Sequence, residues 1–325
     1  VWTASNALDD EYEAFDDEDQ AKKEKFDVGN KEKIVKAIKE AEMTIYDECQ
    51  MLATKTLQTI NTSSENAYYK FGYSGTPFRD DGADLLLEAV CGKVIVEVTP
   101  TELIRDQYLV KPTIYFLEVP EYEGELSSQY QSIYKTYIVE NEVRNKKITQ
   151  AAEKLIDAGR KVLILVKNIK HGNLLCEELG KKYTVYFVKG DLDSDDRNKI
   201  RKDFIEGKIN LIIASVVYDT GVDLPNLDAL ILAGSGKSSG RALQRIGRIL
   251  RPSLNKKDAI VIDFMDNAKY LTEHSKKRME VYNREAGFEI KVKKDGTKGN
   301  DDDKAQKETK SRNVPKRNGS GKMPW

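Results

Sequence analysis

Long hydrophobic runs are missing from this chain of 325 residues. No stretch approaches the roughly 18 consecutive apolar residues that a membrane helix needs. The start lacks a basic segment followed by an apolar run, the pattern of a secretory signal. Cysteine is scarce: Cys49, Cys91 and Cys176 are too few and too scattered for a disulfide framework or a zinc site. Histidine is scarcer still. With only His171 and His274, chemistry built on paired imidazoles is excluded. These absences set the expectation of a soluble protein of a reducing cytoplasm, long enough for two domains.

A dominant charge sign is lacking too, since 53 Lys and Arg face 54 Asp and Glu. The balance is nevertheless uneven along the chain. Acids dominate from Asp9 to Glu32, with a block at Asp16, Asp17, Glu18 and Asp19. After Lys291 the chain is rich in Lys, Asn, Gly and Ser and almost without aliphatic residues. Such a tail buries too little apolar surface to offset chain entropy, so 291–325 reads as a disordered basic tail. It serves either as a solubilising end or as a loose electrostatic hold on nucleic acid.

Short apolar runs alternate with helical patterns in between. Met43–Tyr46, Tyr69–Tyr73, Val94–Val98, Val162–Val166, Val185–Val188, Leu211–Ala214, Ala229–Leu232 and Ala259–Ile262 read as strands. They are apolar on successive positions, as strands covered on both faces of a parallel sheet must be. Ile148, Ala151, Ala152, Leu155 and Ile156 recur at helical spacing, as do Ile200, Phe204 and Ile205. Ser194 supplies a cap for the latter helix, and Asp195 and Asp196 its first-turn acids. His171 falls at a helix start and His274 in the last helical region, neither with an assigned role. Repeated strand–helix alternation implies an α/β fold with parallel sheets flanked by helices, with a seam near Val110–Thr113.

Four segments carry chemistry in combination. Asp47-Glu48 ends an apolar run, the layout by which nucleotide hydrolases hold magnesium and polarise water. Ser74-Gly75-Thr76-Pro77 follows a strand and allows close backbone approach to a neighbouring site. Thr220-Gly221-Val222-Asp223-Leu224-Pro225 follows another, with Gly221 for tight geometry and Asp223 able to reach a ribose. In Gln244–Arg251, a helical reading puts Gln244, Arg248 and Arg251 on one face, where paired guanidiniums favour an anion such as a triphosphate. A competing P-loop reading exists at Ala233-Gly234-Ser235-Gly236-Lys237-Ser238, with Asp263 as its metal strand. It lacks the first glycine, because that position is Ile231.

The ordered set Asp47-Glu48, Ser74–Pro77, Thr220–Pro225 and Gln244–Arg251 resembles motifs II, III, V and VI of superfamily 2 helicases of the DEAD/DEAH-box type. The wording of Ser74–Gly82 and Gln244–Pro252 is most similar to the phage and bacterial branch of DNA repair and branch-migration helicases. The resemblance covers roughly residues 1–290. It implies two RecA-like lobes with ATP and Mg²⁺ in the cleft and a nucleic acid, DNA rather than RNA, across both. By residue it implies Asp47 as magnesium ligand, Glu48 as activator of the attacking water, and Arg248 and Arg251 as fingers beside Gln244. Gly221 and Asp223 would serve the nucleotide, and Ser74, Thr76 and Gln50 the coupling. Thr3, Lys167, Asn168 and Thr220 would touch the strand.

The expected division is 1–112 for a partial first lobe, 113–290 for the second lobe, and 291–325 for the tail. Two departures modify the expectation. Cys49 and Gln50 stand where Ala and His are usual, so coupling is expected to alter while hydrolysis is kept. The phosphate-cradling motif I belongs upstream of Thr3, so the chain is expected to be a fragment that has lost the front of its first lobe and binds ATP poorly alone. The rival expectation is a catalytically inactive module that binds nucleic acid or protein.

Overall fold

In this computed structural model the described residues are 28–75, 84–121, 129–190, 192–215, 224, 226–234, 236, 246–247, 249–253, 256 and 258–293. Thr3, Thr76, Thr220, Gly221, Asp223, Lys237, Gln244 and Arg248 lie outside them, as do the acidic block and everything after Lys293. Among the described residues no helix is long and apolar enough to cross a membrane.

Among the described residues nine strands form two parallel sheets. β1 (Met43–Asp47) and β2 (Tyr69–Tyr73) make a two-stranded sheet, joined by a 3₁₀ turn (Cys49–Ala53) and helix α2 (Lys55–Ser63), with α1 (Val28–Glu40) ahead of them. Tyr46, Cys49, Leu52 and Leu57 form its small core, against Leu87 and Val90 of α3 (Asp84–Cys91). Helix α4 (Pro100–Arg105) follows with a capping box: Thr99 Oγ1 accepts from Glu102 N–H while Glu102 Oε2 accepts from Thr99 N–H.

The larger sheet has seven strands in the order β5-β6-β4-β7-β8-β3-β9. They are β3 (Pro112–Glu118), β4 (Val162–Val166), β5 (Val185–Val188), β6 (Leu211–Ser215), β7 (Ala229–Ile231), β8 (Ala259–Met265) and β9 (Glu289–Lys293). Its connections include α5 (Tyr130–Ile133) with a π turn (Tyr134–Val139), α6 (Glu142–Asp157), α7 (Ile169–Gly180), α8 (Ser194–Ile205) and α9 (Leu271–Arg284). Period-2 geometry splits the strand residues between two cores. Val162, Ile164 and Val166 of β4 join Ile148, Ala152 and Leu155 of α6 and Leu175 of α7 on one face. Leu163 and Leu165 join Phe204, Ile246, Ile249 and Tyr282 on the other. That double covering explains why β4 and β6 are buried at every position. Gly172 lets α7 lie close on β5, because a Cβ there would sit 2.1 Å from the Phe187 ring.

Three sequence readings need correction. Val94–Val98 is not a strand: it pairs with no strand among the described residues, and Val94, Ile95, Val96 and Val98 are exposed. Apolar character supplied the period but no neighbouring edge supplied hydrogen bonds. The cap of α8 is Asp193, whose carboxylate accepts from Asp196 N–H at 2.8 Å, one residue before the expected Ser194. Strand pairing also continues to Lys293, beyond the point where the tail was expected to start.

Candidate functional site

At the carboxyl end of β1 the chain turns sharply. Glu48 adopts left-handed backbone angles (φ 51°, ψ 49°), unusual for a residue with a Cβ. The turn is held by Glu48 N–H donating to Asp47 Oδ1 at 2.9 Å and Met51 N–H donating to the Glu48 carbonyl at 2.8 Å. Asp47 and Glu48 both face solvent. Gln50 Nε2 donates to Glu48 Oε2 at 2.6 Å, and Ser74 Oγ donates to Gln50 Oε1 at 2.6 Å. The parallel register that sets Asp47 opposite Tyr73 brings the two segments together. A relay of hydrogen bonds thus joins Glu48, Gln50 and Ser74. Among the described residues no three metal-ligating side chains gather. Magnesium shared with a triphosphate needs only one or two protein carboxylates, so Asp47 with Glu48 fits that donor set.

On the large sheet, Lys167 and Asn168 directly follow β4 and are exposed. Asn168 Oδ1 caps α7, accepting from Lys170 N–H and His171 N–H. Arg251 is exposed and lies two residues beyond Ile249, which like Ile246 and Gly247 is helical. Lys256 anchors this segment. Its ammonium donates to the carbonyls of Leu227 (2.6 Å), Ile249 and Arg251 (3.1 Å), and burial pulls its pKa down to about 8.

The P-loop-like segment is held internally. Gly234 N–H donates to the Leu165 carbonyl at 2.9 Å, and a Cβ on Gly234 would lie 2.7 Å from the Lys167 nitrogen. Arg144 Nη1 donates to the Ala233 carbonyl at 2.8 Å, Tyr134 Oη to Gly234 at 2.6 Å, and Arg278 Nη1 to Gly236 at 2.9 Å. Both arginines are buried in ion pairs, Arg144 with Asp266 at 2.8 Å and Arg278 with Asp263 at 2.9 Å. Asp263 also accepts from Tyr282 Oη and Phe264 N–H. Its oxygens are committed to the protein, so it does not act as a metal strand. Sequence reasoning missed Arg144, Arg278, Asp266 and Lys256. No local pattern set them apart from solvent-facing charges: Arg144 and Arg278 lie in α6 and α9 among largely polar neighbours, and Asp266 and Lys256 lie in loops.

The seven-stranded parallel sheet with helices on both faces is a RecA-like α/β architecture. Residues 146–253 match the helicase conserved C-terminal domain. The chain is 31% identical over 237 residues to the ATP-dependent DNA helicase uvsW of Enterobacteria phage T4, covering 70% of this chain and 46% of that one. It is 27% identical over 233 residues to the DNA 3'-5' translocase XPB2 of Sulfurisphaera tokodaii, covering 61% and 52%. A fragment of a putative HsdR subunit of a type I restriction enzyme from Vibrio vulnificus superposes with a TM-score of 0.60 at 17% identity, over 78% of this chain and 48% of that one. The chain spans about half the length of the curated relatives it matches. Over that span it is similar to helicases, with a helicase C-terminal domain at residues 146–253.

Proposed function

We propose that the protein is an ATP-dependent helicase or translocase that acts on DNA in repair or recombination in the cytoplasm. ATP is hydrolysed between two RecA-like lobes, 1–112 belonging to the first and 113–290, extended by β9 to Lys293, forming the second, with a basic tail after it. The observation that carries this reading is the Glu48–Gln50–Ser74 relay at the carboxyl ends of adjacent parallel strands. The naming of the relatives as a DNA helicase and a DNA translocase supports DNA over RNA.

In this mechanism Asp47 would hold Mg²⁺, which would supply neutralisation of phosphate charge. Glu48 orients the attacking water and takes its proton. Gln50 passes the position of Glu48 to Ser74 and Thr76, and so to the strand-binding surface. Gly221 and Asp223 hold the nucleotide. Gln244, Arg248 and Arg251 approach the triphosphate as the lobes close, an effect worth about 10³–10⁵ in turnover for an arginine finger. Thr3, Lys167, Asn168 and Thr220 grip the strand backbone, so that closing and opening moves it.

The test is nucleic-acid-stimulated ATP hydrolysis by the longest form of the protein its source encodes. Glu48→Gln is expected to bind ATP without turnover, and Arg248→Ala to lose stimulated turnover while keeping its fold. Turnover near wild type in both variants overturns the reading. A second reading, a binding module without catalysis, is favoured by the Gln50 amide lying 2.6 Å from the Glu48 carboxylate. It requires salt-dependent DNA binding that ignores ATP, and ATP-sensitive binding excludes it.

A further inference from the structure

We propose that Tyr270, backed by the half-buried Tyr130 and the buried Tyr134 and flanked by Lys269 and Lys167, forms a stacking platform for the unpaired bases of a nucleic-acid strand. The proposal rests on the nucleic-acid reading above and deepens it. The contacts assigned there address the strand backbone, whereas this one addresses the bases.

The geometry that points to it is a continuous strip. Lys269 Nζ lies 5.2 Å from the centre of the Tyr270 ring. Tyr270 meets Tyr130 edge-on, with centroids 6.3 Å apart and an interplanar angle of 68°. Tyr130 lies 6.1 Å from Tyr134, and Lys167 Nζ is 5.4 Å from the Tyr134 ring. His274 closes one side, 5.8 Å from Tyr130. The bond from Tyr134 Oη to the Gly234 carbonyl fixes the inner end. Lys167 follows β4 directly and Tyr270 lies five residues beyond β8, so the strip runs along the carboxyl ends of the parallel strands. That edge is where open α/β sheets place ligands.

Tyr270 is the informative residue. It occupies the position before α9 with φ 65° and ψ −39°, angles that bulky side chains avoid. Its side chain makes no capping bond to the helix, although Asn, Asp or Ser suit that position and Asn tolerates positive φ. The chain accepts a strained backbone and an uncapped helix to hold an aromatic ring that is still 41% exposed. Bases stack on such a ring whatever their identity, because each has a π-face, while the flanking ammonium groups meet the phosphates.

The experiment measures fluorescence anisotropy of a labelled oligothymidylate and of an abasic oligonucleotide of equal length. The proteins are wild type, Tyr270→Phe and Tyr270→Asn. Asparagine removes the ring but suits the cap and the positive φ, so thermal melting is expected to match or exceed wild type. Its affinity for oligothymidylate is expected to fall on the order of tenfold, with phenylalanine near wild type and abasic binding equal in all three. Wild-type affinity for oligothymidylate in Tyr270→Asn overturns the platform. Equal wild-type affinity for the two oligonucleotides also overturns it while leaving the nucleic-acid reading standing. No wild-type binding to either overturns both.

Discussion

β1 and β4 are built from the same kind of sequence, five-residue runs dominated by apolar side chains, yet they live in different surroundings. Every position of β4 is buried, because helices cover both faces and strands flank both edges. In β1 only Tyr46 is buried, while Met43 and Ile45 are 52% and 59% exposed. Strand β2 likewise leaves Tyr69 and Tyr73 exposed. The difference teaches that an apolar run specifies a willingness to pair, whereas its energetic worth depends on how many layers arrive to cover it. Full burial of one such side chain is worth about 1.5–3 kcal/mol, and an exposed one contributes little.

Four substitutions, in three experiments, sharpen the comparison. The largest effect falls on the charged lock of the large sheet. Arg278→Ala leaves Asp263 buried without its guanidinium and is expected to destabilise by about 3–5 kcal/mol in urea unfolding. A loss below about 1 kcal/mol would show that Tyr282 and Phe264 N–H suffice for Asp263.

Next comes the matched pair. Ile164→Ala in β4 is expected to cost about 2–5 kcal/mol and Ile45→Ala in β1 no more than about 0.5 kcal/mol. Equal costs would break the comparison, because β1 would then be covered in solution.

The smallest effect is set by pH. His171 in α7 is wholly buried, with one ring nitrogen 2.9 Å from Asn145 Oδ1 and Nδ1 without a hydrogen-bond partner among the described residues. Burial, helped by nearby Arg144, lowers its pKa from 6.5 to about 3. The folded protein therefore holds it neutral while the unfolded chain takes up a proton below about pH 6.5. Its contribution is fully present above that value and is lost as pH falls towards 3, about 2 kcal/mol by pH 5. Melting temperatures of wild type and His171→Gln should converge on acidification. Parallel pH dependences would sink the assignment.

Legibility in the sequence followed the same division. β1, β2 and β4 to β8 were readable because each is an apolar run bounded by polar residues. β3 was visible only as a seam, since Pro112 at its start reads as a break. β9 was read mainly as tail, because Lys291 and Lys293 belong to an edge strand whose one partner is β3. Asp47, Glu48, Gln50 and Ser74 were legible as types at a spacing, and the structure brings Glu48, Gln50 and Ser74 into one relay. Arg144 and Arg278 were not. A charged residue in an amphipathic helix reads as solvent-facing, and only a carboxylate from a distant strand makes its burial tolerable.

By itself the sequence determined the α/β class, most of the strands and the likeness to helicases, because hydrophobic period and short ordered motifs are local properties of the chain. Tertiary structure alone decided that Val94–Val98 pairs with no strand among the described residues, that the glycine-rich loop after β7 is clamped by two buried arginines, and that three tyrosines meet two lysines at the sheet edge. Each depends on residues more than 20 positions apart arriving at one place, which the closing of a parallel sheet decides and local pattern does not.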